Sequence, residues 1–436
     1  MRSRRLVCTA ALTAAALTAL AACGSGSSAG GAGGSSGKPV NITFWGWAPG
    51  YDKSVALFNA THHDVHVTFQ QTASGSGGGY AKMLTAVKAG SAPCLAQVGY
   101  ETLPTFAAAG ALQDVSTYAN ASRGEFVPWT WNQVSIDGQV YGVPVDTGPE
   151  AMFYRTDLFA KYKLPVPTTW AQFESDAEKF HAADPANYLT TTPQDAYDLA
   201  GLAWQNGAKW FGTAGDQWQV STTDAATQQV AAYWQTLLDR HLAKSEPTLD
   251  VAWFDDLNAG HVATLIGAVW NAPLIAQNLP KLAGKWAVAP MPQWTAGAKA
   301  AGNNGGSATA VLKGCDQPQA ATEFATWMST DNASVTNLIE NTGIYPAATS
   351  GLDLPAANAT SAYYGGSDIY PVFKEAAAQV NTSWQWGPTM DQVESDFTDV
   401  LKQAGAGQGT IPNGLSTVQS KTIAAMKNQG LSVAGQ

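Results

Sequence analysis

The sequence predicts an α/β protein of two lobes, and three observations carry that expectation. Strand and helix patterns alternate along the first part of the chain, 436 residues exceed one minimal domain, and 45% hydrophobic with 13% charged side chains suits packed cores. Val40 to Trp47 is a β-type run, and Lys53 to Ala60 sets Val55, Ala56 and Phe58 at helical spacing. Val65 to Gln70 alternates again, Tyr80 to Ala89 reads as a helix closed by Gly90, and Leu95 to Val98 as a short buried strand. This order predicts a mainly parallel sheet. Asp137-Gly138 is a hairpin turn signal ahead of the run Tyr141 to Val145.

After Asp146 the pattern turns helical. Thr169 is an expected cap with Gln172 three residues on, and Trp170, Phe173, Ala177 and Phe180 recur on one face. Asp224 to Leu242 and Asp250 to Asn258 read as helices, the second stopped by Gly260. A strand returns at Lys285 to Pro290. The glycine- and asparagine-rich stretch Gly302 to Ser307 then leads into Ala308 to Lys313, and Gln319 to Ser329 aligns Ala321, Phe324, Ala325 and Met328 as a core stripe.

Charge excludes one class of partner. Lys and Arg total 23 against 33 Asp and Glu, a net charge of −10, so the surface is not built to neutralise phosphates and no nucleic-acid partner is expected. Arg2, Arg4 and Arg5 precede an apolar run from Leu6 to Ala22, which reads as an export signal and is too short for a membrane span. Leu20-Ala21-Ala22-Cys23 resembles a bacterial lipobox. Residues 1–22 are therefore expected to be removed and Cys23 lipidated, with 23–38 a Gly/Ser tether to the outer face of the cytoplasmic membrane. Removal of that leader leaves 20 cationic side chains against 33 acidic ones, so anionic head groups would not attract the body and the lipid must hold it.

Cys94 and Cys315 remain. Outside the membrane an even pair reads as one disulfide, the alternative being two separate buried thiols. Neither has ligand neighbours at metal spacing, and His62, His63 and His66 lack a second ligand group nearby, so no metal and no cofactor are expected.

The 16 tryptophans outnumber the 14 tyrosines and the 14 phenylalanines. Trp170, Trp234, Trp253 and Trp327 fall on helical stripes and read as core. The others are available as flat apolar plates.

Several segments together resemble the maltose-binding-protein-like, sugar-specific solute-binding lipoproteins of bacterial ABC importers. They are ITFWGW at 42–47, AGSAPCLAQVGYETLP at 89–104, YGVPVDTGPEAMFYRTDLF at 141–159 and VPTTWAQF at 166–173. LNAGHVATLIGAVWN at 257–271, GGSATAV at 305–311, TGIYPA at 342–347 and SWQWGP at 383–388 follow in the same order. One departure is Cys94, where such proteins commonly carry Asp after Ala-Pro; the proposed bond to Cys315 would replace that local contact.

The resemblance implies a type II periplasmic-binding-protein-like fold whose discontinuous lobes close on a ligand like a jaw. Crossings are expected near Thr147 to Glu150, Pro292 to Gly302 and Ile344 to Gly351, giving one lobe of 39–146 plus 303–343 and another of 147–302 plus 344–436. It also implies the ligand set. Asp146 and Glu101 would accept sugar hydroxyls, with Tyr100 beside Glu101; Trp45 and Trp47 would sit at a strand end opening into the cleft. Trp270, followed by Asn271, would be the main stacking plate, and Gly305, Gly306 and Ser307 would offer backbone N–H groups. Trp384 and Trp386 would supply a second plate, with Trp204, Gln205 and Trp210 next; Tyr345 would line the cleft or pack at a hinge. The expected partners are a mono- or oligosaccharide and an ABC permease, with the chain itself a monomer. Two rival readings are a glycan-cleaving enzyme with Asp146 and Glu101 as its carboxylate pair, and a surface lipoprotein that binds polysaccharide without transport.

Overall fold

The computed structural model describes residues 38–434. The expected leader, Cys23 and all of the tether except Lys38 lie outside them. The first sheet joins β1 (Val40–Gly46), β2 (Val65–Gln71), β3 (Leu95–Gly99), β4 (Gly142–Pro144) and a late strand, Ser307–Val311, in the order β2-β1-β3-late strand-β4. Ile42 and Phe44 alternate into the core from β1, and β3 is buried along its whole length, as a central strand covered on both faces should be. Helix α1 (Tyr51–Thr61) presents Tyr51, Ser54, Val55 and Phe58 to this sheet, a single stripe at helical period.

The sheet departs from the mainly parallel expectation. β1 pairs in parallel with β2 and with β3, but the strand 307–311 runs antiparallel to both β3 and β4. The cause is its point of entry. The chain comes back from the other lobe at the end of the sheet where Gly99 lies, so the returning strand can only run backwards, with Ser307 opposite Gly99 and Val311 opposite Leu95.

Three short crossings link the lobes. β5 (Asp146–Thr147) leaves the first sheet and leads into β6 (Glu150–Arg155), the central strand of an antiparallel three-stranded sheet with β7 (Thr264–Ala268) and β8 (Trp286–Ala289) on either side. The return brings Asn303 against Pro149, and the strand 307–311 is β9. The third crossing, β10 (Tyr345–Pro346), pairs antiparallel with β5. The Asn304 N–H donates to Gly148 O at 2.8 Å, an approach so close that a Cβ on Gly148 would stand 1.8 Å from Asn304 O.

The helices of the second lobe start where the capping signals put them. Thr169 Oγ1 accepts the Gln172 N–H at 3.2 Å ahead of α2 (Trp170–Ala183). Asp195 caps α3 (Ala196–Gln205), Asp224 caps α4 (Ala225–Asp239), and Asp250 caps α5 (Val251–Ala259), which ends at Gly260 with φ +85°. Trp170, Trp234 and Trp253 are buried as expected, whereas Trp327 is only partly buried, packing its edge on Phe58.

Cys94 and Cys315 are bonded across 221 residues. The bond clamps β3 to β9 at their ends remote from Gly99 and Ser307, next to the Leu312 N–H to Cys94 O hydrogen bond of 2.9 Å.

Candidate functional site

Trp270 follows β7 and opens helix α6 (Asn271–Asn278), its indole N–H donating to Asn304 O at 3.0 Å. That bond fixes the ring beside a crossing, where it lines two cavities at once. The larger, about 700 Å³, takes Trp47, Tyr51, Gln97 and Asp146 from the first lobe and Trp270, Tyr364 and Tyr370 from the second. Its volume is in the range of small-molecule sites. The smaller, about 230 Å³, is walled by Glu150, Asp195, Tyr197, Asp198, Asn271 and Asn304, and Trp234 and Trp253 reach it from the core.

Carboxyl groups gather around these spaces without a cation. Among the described residues no Lys, Arg or His lines either cavity. Burial pushes Asp146 up to about 6, although the Ser307 N–H and Oγ both donate to its Oδ1, at 2.8 and 2.7 Å. Burial likewise raises Glu101 to about 7, against donation from Tyr80 Oη at 3.0 Å and Thr102 Oγ1 at 3.3 Å, with Asp391 adding repulsion. Glu394 rises to about 7 through burial and the nearby charges of Asp195 and Glu101. Asp198 is raised by burial and by Asp195, and Glu150 well above its ordinary range by burial and by Asp198. Glu150 is 2% exposed and its Oε2 has no hydrogen-bond partner.

The structure sorts the expected ligand residues by position. Trp47, Asp146, Trp270 and Asn271 line the cavities, though the Asn271 amide also donates to Ala268 O at 3.2 Å. Glu101 stands outside both walls but within the field of Tyr197, Asp391 and Glu394.

The other positions have different tasks. Trp45 turns outward to a shallow groove, where the Lys82 ammonium lies 4.4 Å from its ring centre. Tyr100 is enclosed beneath Gly306; a Cβ on that glycine, at φ +96°, would meet the Tyr100 ring at 2.7 Å. Gly306 thus makes room for Tyr100, and Gly305 does the same for the Trp270 indole, whose Nε1 stands 3.3 Å from the Cβ position. The Ser307 N–H is already spent on Asp146.

Trp204, Trp210, Trp384 and Trp386 form a closed aromatic cluster. Trp204 stacks on Trp384 at 4.9 Å, Trp210 stacks on Phe397 at 4.7 Å, and Trp386 meets Trp384 edge-on at 5.1 Å. Their faces largely cover one another; Trp384 and Trp386 line a separate cavity of about 300 Å³ with Gln133 and Trp218, apart from the two that Trp270 lines, and Trp386 also meets Tyr197 at 6.1 Å. Gln205 is consumed by the Trp170 indole, Pro292 O and Ala300 O. Tyr345 packs at the hinge, 2% exposed.

Sequence reading missed Glu150, Asp195, Tyr197, Asp198, Asp391 and Glu394. Only Asp195 carried a usable local signal, as the cap of α3, and that signal speaks of helix starts rather than ligands.

The family described as bacterial extracellular solute-binding protein matches residues 45–334. The arabinooligosaccharide-binding protein of Halalkalibacterium halodurans is 25% identical over 339 residues, covering 74% of this chain and 75% of that protein. The lactose-binding protein of Rhizobium radiobacter is 24% identical over 301 residues, covering 65% and 69%. Among solved structures, the galacto-N-biose-/lacto-N-biose I-binding protein of the ABC transporter from Bifidobacterium longum, in complex with lacto-N-biose, matches with a TM-score of 0.82. It is 31% identical, over 91% of this chain and 100% of that one. The fold is the two-lobed type II form expected from the sequence.

Proposed function

The chain belongs to the bacterial extracellular solute-binding protein family, and from that premise we propose that it captures a mono- or oligosaccharide between its lobes and delivers it to an ABC permease. The observation that carries this reading is Trp270: one indole, pinned to a crossing segment, lines the cavity shared by the two lobes and a second one almost wholly within the second lobe, next to acidic acceptors. An indole face covers the apolar side of a sugar ring while carboxyls accept its hydroxyls. Residues 39–146 plus 303–343 form one jaw in this proposal, and 147–302 plus 344–436 the other. Ligand that touches both jaws binds the closed form better, and that difference drives closure.

Trp270→Ala removes the shared plate. Affinity for the sugar that binds wild-type protein should fall by about 2–4 kcal/mol in calorimetric titration. Unchanged affinity with lowered stability would make Trp270 a core residue and sink the reading.

The same arrangement favours binding over cleavage. A glycosidase needs two carboxyls flanking one bond, whereas Asp146 lines the larger cavity, Glu101 lies outside its wall, and each has an oxygen held by internal donors. Cys23 supplies the membrane attachment in this proposal. Cys23→Ser should move the protein from the membrane fraction to the medium, and retention of the variant on membranes would refute the anchor.

A further inference from the structure

The smaller cavity has an acidic wall with one group left unanswered. Asp195 is engaged as a helix cap, and Asp198 accepts from Asn304 Nδ2 at 3.1 Å and from the Gln194 N–H at 3.1 Å. Glu150 Oε2 has no donor among the described residues. Its carboxyl is lodged between Gly201 and Gly302, where a Cβ would come within 2.2 and 2.1 Å of Oε2. Two glycines therefore keep space for a carboxyl oxygen that no donor among the described residues satisfies, a costly state for a buried acid.

We propose that this wall is a subsite for a sugar unit bearing a free, protonated amine, its ammonium seated against Glu150 and Asp198. The proposal rests on the sugar-binding reading above and narrows its substrate class. Hydroxyls could hydrogen-bond to these acids, but they bring no countercharge to a wall that, among the described residues, lacks any Lys, Arg or His. An ammonium brings three donors and the missing charge, and charge-assisted bonds are the stronger kind. Trp270 and Tyr197 in the same wall add rings that attract a cation. A bare metal ion is the poorer fit, since among the described residues no three Asp, Glu, His or Cys side chains come together as a metal site. Burial first, and repulsion between neighbouring carboxyls second, push the Glu150 and Asp198 acidities up, and a cation placed against them would relieve the second. An acetylated amine, a uronate or a phosphorylated sugar offers no positive charge and should bind less well.

The test is calorimetric titration of the intact protein with β-linked disaccharides of glucose and of galactose, each in neutral, 2-amino and 2-acetamido form. For whichever backbone binds, the amino form should bind about tenfold or more tightly than the neutral one. Glu150→Gln, or Asp198→Asn should the first variant fold poorly, should bring that ratio close to one. A neutral or acetamido form that binds as tightly as its amino counterpart overturns the amine subsite and leaves sugar capture standing. Binding of no sugar in the panel, nor in one widened to arabinose, xylose and mannose oligosaccharides and the free monosaccharides, overturns both.

Discussion

Replacing Cys94 and Cys315 together by alanine should lower the free energy of unfolding by about 5 kcal/mol, read from urea denaturation. The bond spans 221 residues and encloses β3, the crossing at β5, the whole central sheet of the second lobe and the return to β9. Without it the unfolded chain regains the entropy of that long loop, while the folded sheet keeps the β3–β9 ladder from Leu95 to Gly99. The bond also lies at the end of the sheet away from Trp47, Asp146 and Ser307, so sugar affinity should change little where the variant is folded. A loss below about 1 kcal/mol would show that the unfolded state is held compact by other means, or that the thiols are not joined in the mature protein.

Local chemistry explains what could be read in advance. Thr169, Asp224 and Asp250 each sit one residue before an apolar helical stripe, and a cap acts only on the next three residues, so the helix starts were legible. The cysteine pair was legible by count. Strand direction in the first sheet was not, because β9 is reversed by the route of the chain through the second lobe and not by any property of Ser307 to Val311. The tryptophans mark the same limit. Trp270 and Trp384 both follow plausible loop signals, yet one is pinned by Asn304 where it lines two cavities and the other is stacked on Trp204, partners distant in sequence in both cases. Asp195 and Asp198, three residues apart, have the spacing of an ordinary solvated helix start. Only the fold sets them opposite Glu150 and Glu394.

Acidification from about pH 8 to about pH 5 should stabilise the sugar-free protein by on the order of 3 kcal/mol. Glu101 at about 7 and Asp146 at about 6 both lie above the unfolded carboxyl range near 4, with burial the main cause in each. A carboxyl whose acidity is weakened by folding takes up a proton as the chain folds, so its stabilising contribution is complete below the unfolded value. That contribution is lost as the pH climbs through the folded one, at about 1.4 kcal/mol per unit. Glu394 adds in the same direction, and because all three side chains are partly open to solvent the sum is discounted. The protein's net charge of −10 adds a general repulsion that acid also relieves, so the slope alone does not isolate the cleft. Glu101→Gln does, because it removes one titrating group and leaves the rest of the charge almost unchanged. Urea unfolding of both proteins at each pH should show the variant gaining less stability than the wild type between about pH 7 and about pH 5. Parallel curves, or a wild type that weakens as the pH falls through this window, would mean that water keeps these carboxyls ionised in the folded protein and that folding takes up no proton there.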